Sequence, residues 1–403
     1  MADMKAPRVA VVGVGVTDFA PKISGKTIYG LALEACMAAI ADAGLTRHDI
    51  DGILVTPVGR FREVRIGYAL GEHLGIHHRY LSGHNKIGAG GVSFSLDVAR
   101  WSLQEDHTRY VLLVDAAQWS LPQAFENFTM LDDGDWSSGS ALHVTNDQVW
   151  GGNWIQQQAA VAARHSHEFG TTSEQLAAVA TAARHNASLN PEAVYRESLS
   201  IDDVLSSPVV TSPLHEPMCS MLNDGGAAVV LTLEDRAADL PHQPVYILGG
   251  GSCFAGPWLV HAAYDDLSGT YDMLRTVGRS AADQAFAEAG LTRSDVDVVE
   301  VSDPSAISTI MALEDYGFCK KGEGGAFVGD GQRIQVGGSL PVNTHGGWLS
   351  GTFAGASHAT LVEAVRQLRG DCGERQVPDA DIALFGSVGG AVSNHSVTLL
   401  GRN

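Results

Sequence analysis

Apolar residues gather first at Val9-Ala10-Val11-Val12-Gly13, a run with the length and β-branched content of a buried strand. An amphipathic helical pattern follows, ending in Ala41-Asp42-Ala43-Gly44-Leu45-Thr46-Arg47, then a charged loop and the apolar stretch Ile53-Leu54-Val55. The same order returns later. Val245-Tyr246-Ile247-Leu248 runs into Gly249-Gly250-Gly251, a helical pattern ends in Ala287-Glu288-Ala289-Gly290-Leu291-Thr292-Arg293, and Val298-Val299-Glu300-Val301 reads as a strand. In both copies a glycine marks the predicted helix end. A period near half the chain is too long for a solenoid and predicts two similar α/β domains related by pseudo-symmetry. Asp239-Leu240-Pro241-His242-Gln243-Pro244 reads as the linker, which gives domains of 1–240 and 241–403. Gly13-Val14-Gly15-Val16 lacks the third glycine of a dinucleotide fingerprint, so the expectation is a glycine turn closing a buried strand. Arg109 to Asp115 has the apolarity of a central strand.

Composition narrows the function classes. Among 403 residues, 46 acidic against 26 basic side chains give a formal charge of −20, which disfavours nucleic acid and anionic membrane surfaces. The cysteines at 36, 219, 253, 319 and 372 form no CxxC pair and no zinc-like cluster, so neither a disulfide framework nor a metal is expected. Cys219 and Cys319 read as small core residues rather than nucleophiles. The apolar stretch Val9 to Val16 is too short to span a membrane, and a cytoplasmic, enzyme-sized protein is expected.

Further segments occur in a set order: Pro213-Leu214-His215, Asn223-Asp224-Gly225-Gly226-Ala227-Ala228, Glu314 through Gly325, and Val342-Asn343-Thr344-His345-Gly346-Gly347. Together with the duplication they resemble the thiolase superfamily, in particular its lipid-transfer-protein or sterol-carrier-type branch. The resemblance implies an α/β thiolase fold, with two pseudo-symmetric βαβαβ-type halves in a layered α/β/α/β/α arrangement. Enzymes of this fold normally exchange acyl groups with coenzyme A through a cysteine at the amino end of a buried helix, where the helix dipole favours the thiolate. The matching stretch is Ile87-Gly88-Ala89-Gly90-Gly91-Val92, with Gly88 or Ala89 where the thiol would stand. Gly351 or Thr352 replaces the family histidine, Ser302-Asp303-Pro304-Ser305 the anchor motif, and Phe385-Gly386-Ser387-Val388-Gly389-Gly390 the late cysteine element. Ordinary thiolysis is therefore not expected.

Relatives resembling the steroid side-chain aldolases lack the thiol and cleave carbon–carbon bonds by a retro-aldol route. The resemblance thus implies a lyase acting on a β-hydroxyacyl-CoA, with coenzyme A entering as the thioester. A non-catalytic acyl-CoA-binding or partner subunit of a heteromeric thiolase is the alternative, and an acetyl-CoA acyltransferase a more distant one. A homodimer and a small OB-fold partner of the DUF35 type are implied as well. His345, in its glycine-flanked turn, and His358 and His84 are the acid/base candidates, each with the alternative of a capping or surface histidine. Asp303 is either an active-site anchor or a turn opener. Backbone N–H groups at Gly90, Gly91, Gly389 and Gly390 are candidates for an oxyanion hole, or these glycines only permit close packing. Arg60, Arg62 and Arg65 are the basic cluster for the coenzyme A phosphates, followed by Lys320 and Lys321, with a solvated loop as the alternative for both. Tyr264 and His395 are weaker candidates.

Overall fold

The computed structural model describes residues 6–56, 66–76, 82–84, 91–120, 154–254, 273–389, 392 and 394–402. Among the described residues a hairpin, β5 (Val209–Thr211) with β6 (Leu214–His215), stands apart from one nine-stranded mixed sheet. The sheet takes β1 (Val9–Val16), β2 (Gly52–Val55), β3 (Ser82–His84), β4 (Val111–Gln118) and β7 (Asp224–Leu233) from the first half. From the second it takes β8 (Val245–Phe254), β9 (Val298–Val301), β10 (Ile382–Gly389) and β11 (Asn394–Gly401).

The strand order is β3-β2-β4-β7-β1-β8-β11-β10-β9. Outward from the middle, β1, β7, β4 and β2 mirror β8, β11, β10 and β9, each arm running antiparallel, antiparallel, parallel. Among the described residues the strands of the two arms pair only where Ala10 meets Tyr246 and Val11 meets Val245. Residues 238–244 carry no helix or strand. The Arg109–Asp115 segment lies in β4 and just before it, between β2 and β7, with β3 at that edge of the sheet.

The helices that matter for the site are α1 (Ile28–Asp42), α2 (Ile66–Leu74), α3 (Gly91–Gln104), α4 (Trp154–Phe169), α5 (Ser173–Ser188), α6 (Gly278–Ala289), α7 (Ala306–Asp315) and α8 (Ala356–Arg369). Helices α1 and α6 cover the outer faces of the two arms. Helices α3 and α8 lie between the arms and touch strands of both. One apolar core joins them, with Val11, Leu96, Leu113, Leu361, Val365 and Phe385 among its members.

The duplication is visible atom by atom. Gly44 and Gly290 both follow their helix with φ of 69°, the left-handed conformation that glycine adopts without strain. In the next loop Thr46 donates from backbone and hydroxyl to Asp49, and Thr292 does the same to Asp295. The glycines of β1 depart from the expected turn. Gly13 and Gly15 lie inside the strand, where a Cβ would press on the backbone of Ala39 in α1. Gly249 and Gly251 of β8 stand in the same relation to Ala285 and Ala281 of α6. These glycines clear space for a helix lying directly on its strand.

Candidate active site

Helices α3 and α8 begin where β9 and β10 end. Ser302, just past β9, donates its N–H to the Gly386 carbonyl of β10 at 2.9 Å, and its hydroxyl lies 2.8 Å from that of Ser357 in the first turn of α8. Ser387, on β10, brings its hydroxyl within 3.2 Å of Ser93 in the first turn of α3. Two helix amino ends and two hydroxyl pairs thus share one region, a setting that favours a developing negative charge. Gly91 opens α3 and Gly389 closes β10, both buried.

Alternation along β9 turns Glu300 and Ser302 to the same side. Glu300 is fully buried, and its Oε2 lies 3.1 Å from Nδ1 of His345. Its Oε1 accepts the backbone N–H of Thr344 at 2.8 Å. The Thr344 hydroxyl sits 2.7 Å from that same Oε1 and 2.8 Å from Oε1 of Glu363 on α8. Arg375 closes the chain with two bonds to Glu363, of 2.8 and 2.9 Å. Burial works against the Glu363 charge, but the guanidinium outweighs it and holds the carboxyl at about 2. Glu300 has no such cation, and burial pushes its pKa up.

His345 is 4% exposed, and among the described residues its Nε2 has no hydrogen-bond partner. Burial opposes a charge on this ring, while Glu300, Glu363 and Asp303 pull its pKa upward. The ring borders a narrow cleft with Val16, Phe19, Asn190, Thr352 and Arg366. The cleft's free space of about 20 Å³ suits about one water molecule. At its rim Arg366 pairs with Glu192 at 2.5 Å. The turn carrying His345 continues into a π-helical stretch, Gly347–Gly351, a feature frequent at functional sites. Its glycines make room: a Cβ on Gly347 would strike the Asp303 carboxylate, and one on Gly351 would crowd the His345 backbone.

Asp303 is no exposed turn opener. It is 1% exposed and accepts the Trp348 N–H at 2.7 Å. Burial pushes its pKa up to about 7, against the pull of that N–H and of His345. His358 is also fully buried, and both ring nitrogens lack partners among the described residues. Burial alone lowers its pKa to about 3, so it stays neutral. This removes the surface-histidine alternative and leaves His358 a poor acid or base near neutrality.

The other expectations divide. His395 is buried on β11, its Nδ1 lying 3.3 Å from the Tyr316 hydroxyl and its Nε2 3.1 Å from the Val392 carbonyl. Lys321 is paired with Glu314 and Asp315 rather than free in a solvated loop. His84 is the last residue of β3, and only its backbone position is described. Arg60, Arg62, Arg65, Gly88, Ala89, Gly90, Gly390 and Tyr264 lie outside the described residues. Every one of the five cysteines has a pKa raised by burial, Cys219 and Cys319 to about 12, so none is poised as a thiolate. The sequence reading overlooked Glu300, Thr344, Glu363 and Arg375; the one available signal was a carboxylate interrupting the apolar run of β9.

Comparison with known proteins identifies the family. Residues 261–402 match the family described as thiolase C-terminal domain-like. An acetyl-CoA acetyltransferase of Methanothermobacter thermautotrophicus is 33% identical, covering 98% of this chain and 99% of its own. A 17-hydroxy-3-oxo-4-pregnene-20-carboxyl-CoA lyase of Mycobacterium tuberculosis is 33% identical over 91% of this chain and 93% of its own. Among solved structures, that of an Ltp2-ChsH2(DUF35) aldolase superposes with a TM-score of 0.84 at 29% identity, covering 98% of both chains. With the family model matched over residues 261–402 and relatives of 33% identity matched over nearly their whole length, the chain belongs to the thiolase superfamily, in its lipid-transfer-protein, sterol-carrier-type branch.

Proposed function

We propose that the protein cleaves a β-hydroxyacyl-CoA by a retro-aldol reaction, giving a shorter acyl-CoA and a ketone or aldehyde. The observation that carries this reading is the pair of hydroxyl contacts, Ser93 with Ser387 and Ser302 with Ser357, where the two central helices begin, with the buried Asp303 carboxyl next in the chain. An acyl-transferring thiolase needs a thiolate, and burial holds all five thiols in the protonated form. A retro-aldol step needs only a base, an acid and donors for an enolate.

In this reading Nε2 of His345 takes the proton of the β-hydroxyl, directly or through the one water its cleft can hold. The Cα–Cβ bond breaks, its electron pair passes into the thioester as an enolate, and the carbonyl forms at Cβ. The amino ends of α3 and α8, with the Ser93–Ser387 and Ser302–Ser357 hydroxyls, supply donors for the enolate oxygen. Asp303, part protonated near pH 7, returns a proton to Cα. Arg60, Arg62 and Arg65 remain the proposed cluster for the coenzyme A phosphates, with Gly90, Gly91, Gly389 and Gly390 as further backbone donors and His84 as a subsidiary acid/base candidate.

The relative solved as an Ltp2-ChsH2(DUF35) aldolase supports a homologous partner here, and we place the chain in a homodimer that such a partner completes, within the cytoplasm. The test is incubation of the chain, alone and with a DUF35-type protein, with β-hydroxyacyl-CoA thioesters. A ketone or aldehyde should appear with no free coenzyme A required, and His345→Ala should lower turnover by roughly 10²- to 10⁴-fold. Strict dependence on added coenzyme A would favour thiolysis. Absence of turnover under both conditions would favour a non-catalytic subunit, and sedimentation as a stable monomer would remove the dimer.

A further inference from the structure

The Thr344 hydroxyl has one proton, yet it sits at hydrogen-bond distance from two buried carboxyls, 2.7 Å from Glu300 and 2.8 Å from Glu363. It also accepts an N–H from Gln367 at 2.9 Å. A hydroxyl can donate once and accept twice, so both carboxyl contacts are bonds only if one carboxyl brings its own proton. Glu363 is not that group, because Arg375 grips both of its oxygens. Glu300 is. Thr344 then donates to Glu363 and accepts from Glu300, while Oε2 of Glu300 is left as an acceptor facing Nδ1 of His345 at 3.1 Å.

Building on the lyase reading, we infer that Glu300 is a positioning residue: as a carboxylic acid anchored through Thr344 to the Glu363–Arg375 pair, it accepts the Nδ1 proton of His345 and leaves Nε2 as the lone pair facing the cleft. The charge balance agrees, since Glu363 and Arg375 cancel and Glu300 and His345 are both neutral. With Glu300 holding its own proton, the carboxylates that face His345 are Glu363 from α8, neutralised by Arg375 from the loop after it, and Asp303 from the loop after β9. Glu192 and Arg366, at the rim of the same cleft, are paired with each other. A neutral imidazole with an inward Nδ1–H is the form required of a base acting at Nε2.

Proton positions distinguish this arrangement from an ionised carboxylate–histidine dyad. Glutamine does not, because Oε1 of Glu300 also accepts the Thr344 N–H at 2.8 Å, and an amide that keeps this bond turns its NH2 toward Nδ1 of His345, so Glu300→Gln should be impaired about as much as Glu300→Ala. Glu300→Ala should lower kcat by about 10²-fold with KM little changed. Thr344→Val removes the acceptor for the Glu300 proton, and ionised Glu300 should then move the acid limb of the kcat/KM profile upward by about one unit or more.

Two readouts need neither turnover nor a variant of uncertain folding. Nitrogen-15 NMR of the labelled full chain at pH 7 should show His345 with Nδ1 protonated and Nε2 bare. Infrared spectra at about pH 9, where Asp303 is ionised, should show the carbonyl band of a buried protonated carboxylic acid, absent from Glu300→Gln. Protonated Nε2 with bare Nδ1, both nitrogens protonated, or no acid band that Glu300→Gln removes, overturns the inference. A chain without lyase activity but with the expected tautomer would refute the proposed reaction and leave the positioning intact.

Discussion

Two buried residues near the helix ends push the stability of the protein in opposite directions as pH changes. Asp303 has a folded pKa of about 7 against an ordinary value near 4, so the folded state binds more protons across that interval and stability falls as pH rises through it. His358 has a folded pKa of about 3 against an ordinary value of 6.5, so the unfolded state binds more protons and stability falls as pH drops through that interval. Asp303→Asn should therefore gain on the parent between pH 4 and 7, by up to about 4 kcal/mol, as measured by urea unfolding at each pH. His358→Leu should lose less stability than the parent between pH 6.5 and 3 in the same assay. A parallel response in parent and variant would show that the residue does not titrate as its burial requires. Neither environment was legible in the sequence: Asp303-Pro304 has the form of a surface turn, and nothing near His358 in the chain reveals how deeply its ring is buried.

At the scale of elements, repetition was legible and packing was not. The Ala-Gly-Leu-Thr-Arg frame is local chemistry, a glycine for the left-handed end of a helix and a threonine–aspartate turn after it, and both copies form as the residues dictate. The glycines of β1 and β8 resembled turn residues because a strand interior seldom contains them; their reason is a helix contributed from further along the chain. The network of Glu300, Thr344, Glu363 and Arg375 was hidden for a related cause, since it joins a strand, a turn, a helix and a loop far apart in sequence. Gly13→Ala and Gly249→Ala should each lift the covering helix, α1 or α6, and cost about 1–3 kcal/mol in chemical denaturation. Because the two sites are pseudo-symmetric copies, their losses should be similar. A neutral result at either would mean the helix can shift without penalty.

Over the whole molecule, chemistry that needs no thiol predicts indifference to thiol reagents. Iodoacetamide under native conditions should leave carbon–carbon cleavage unchanged, whereas loss of activity that follows alkylation of a single cysteine would restore a thiolase-like mechanism. A different consequence comes from the way the halves meet. Among the described residues their sheets share only the Ala10–Tyr246 and Val11–Val245 pairs, yet α3, from the first half, lies against β8, β10 and β11, and α8, from the second, lies against β1, β4 and β7. Each half lends the other a helix. A chain cut within residues 238–244 should yield two fragments that are insoluble when made separately and reassemble when made together, behaving as a clasp rather than as two beads on a string. Independent folding of either fragment would show that the lent helix is dispensable to the half that receives it.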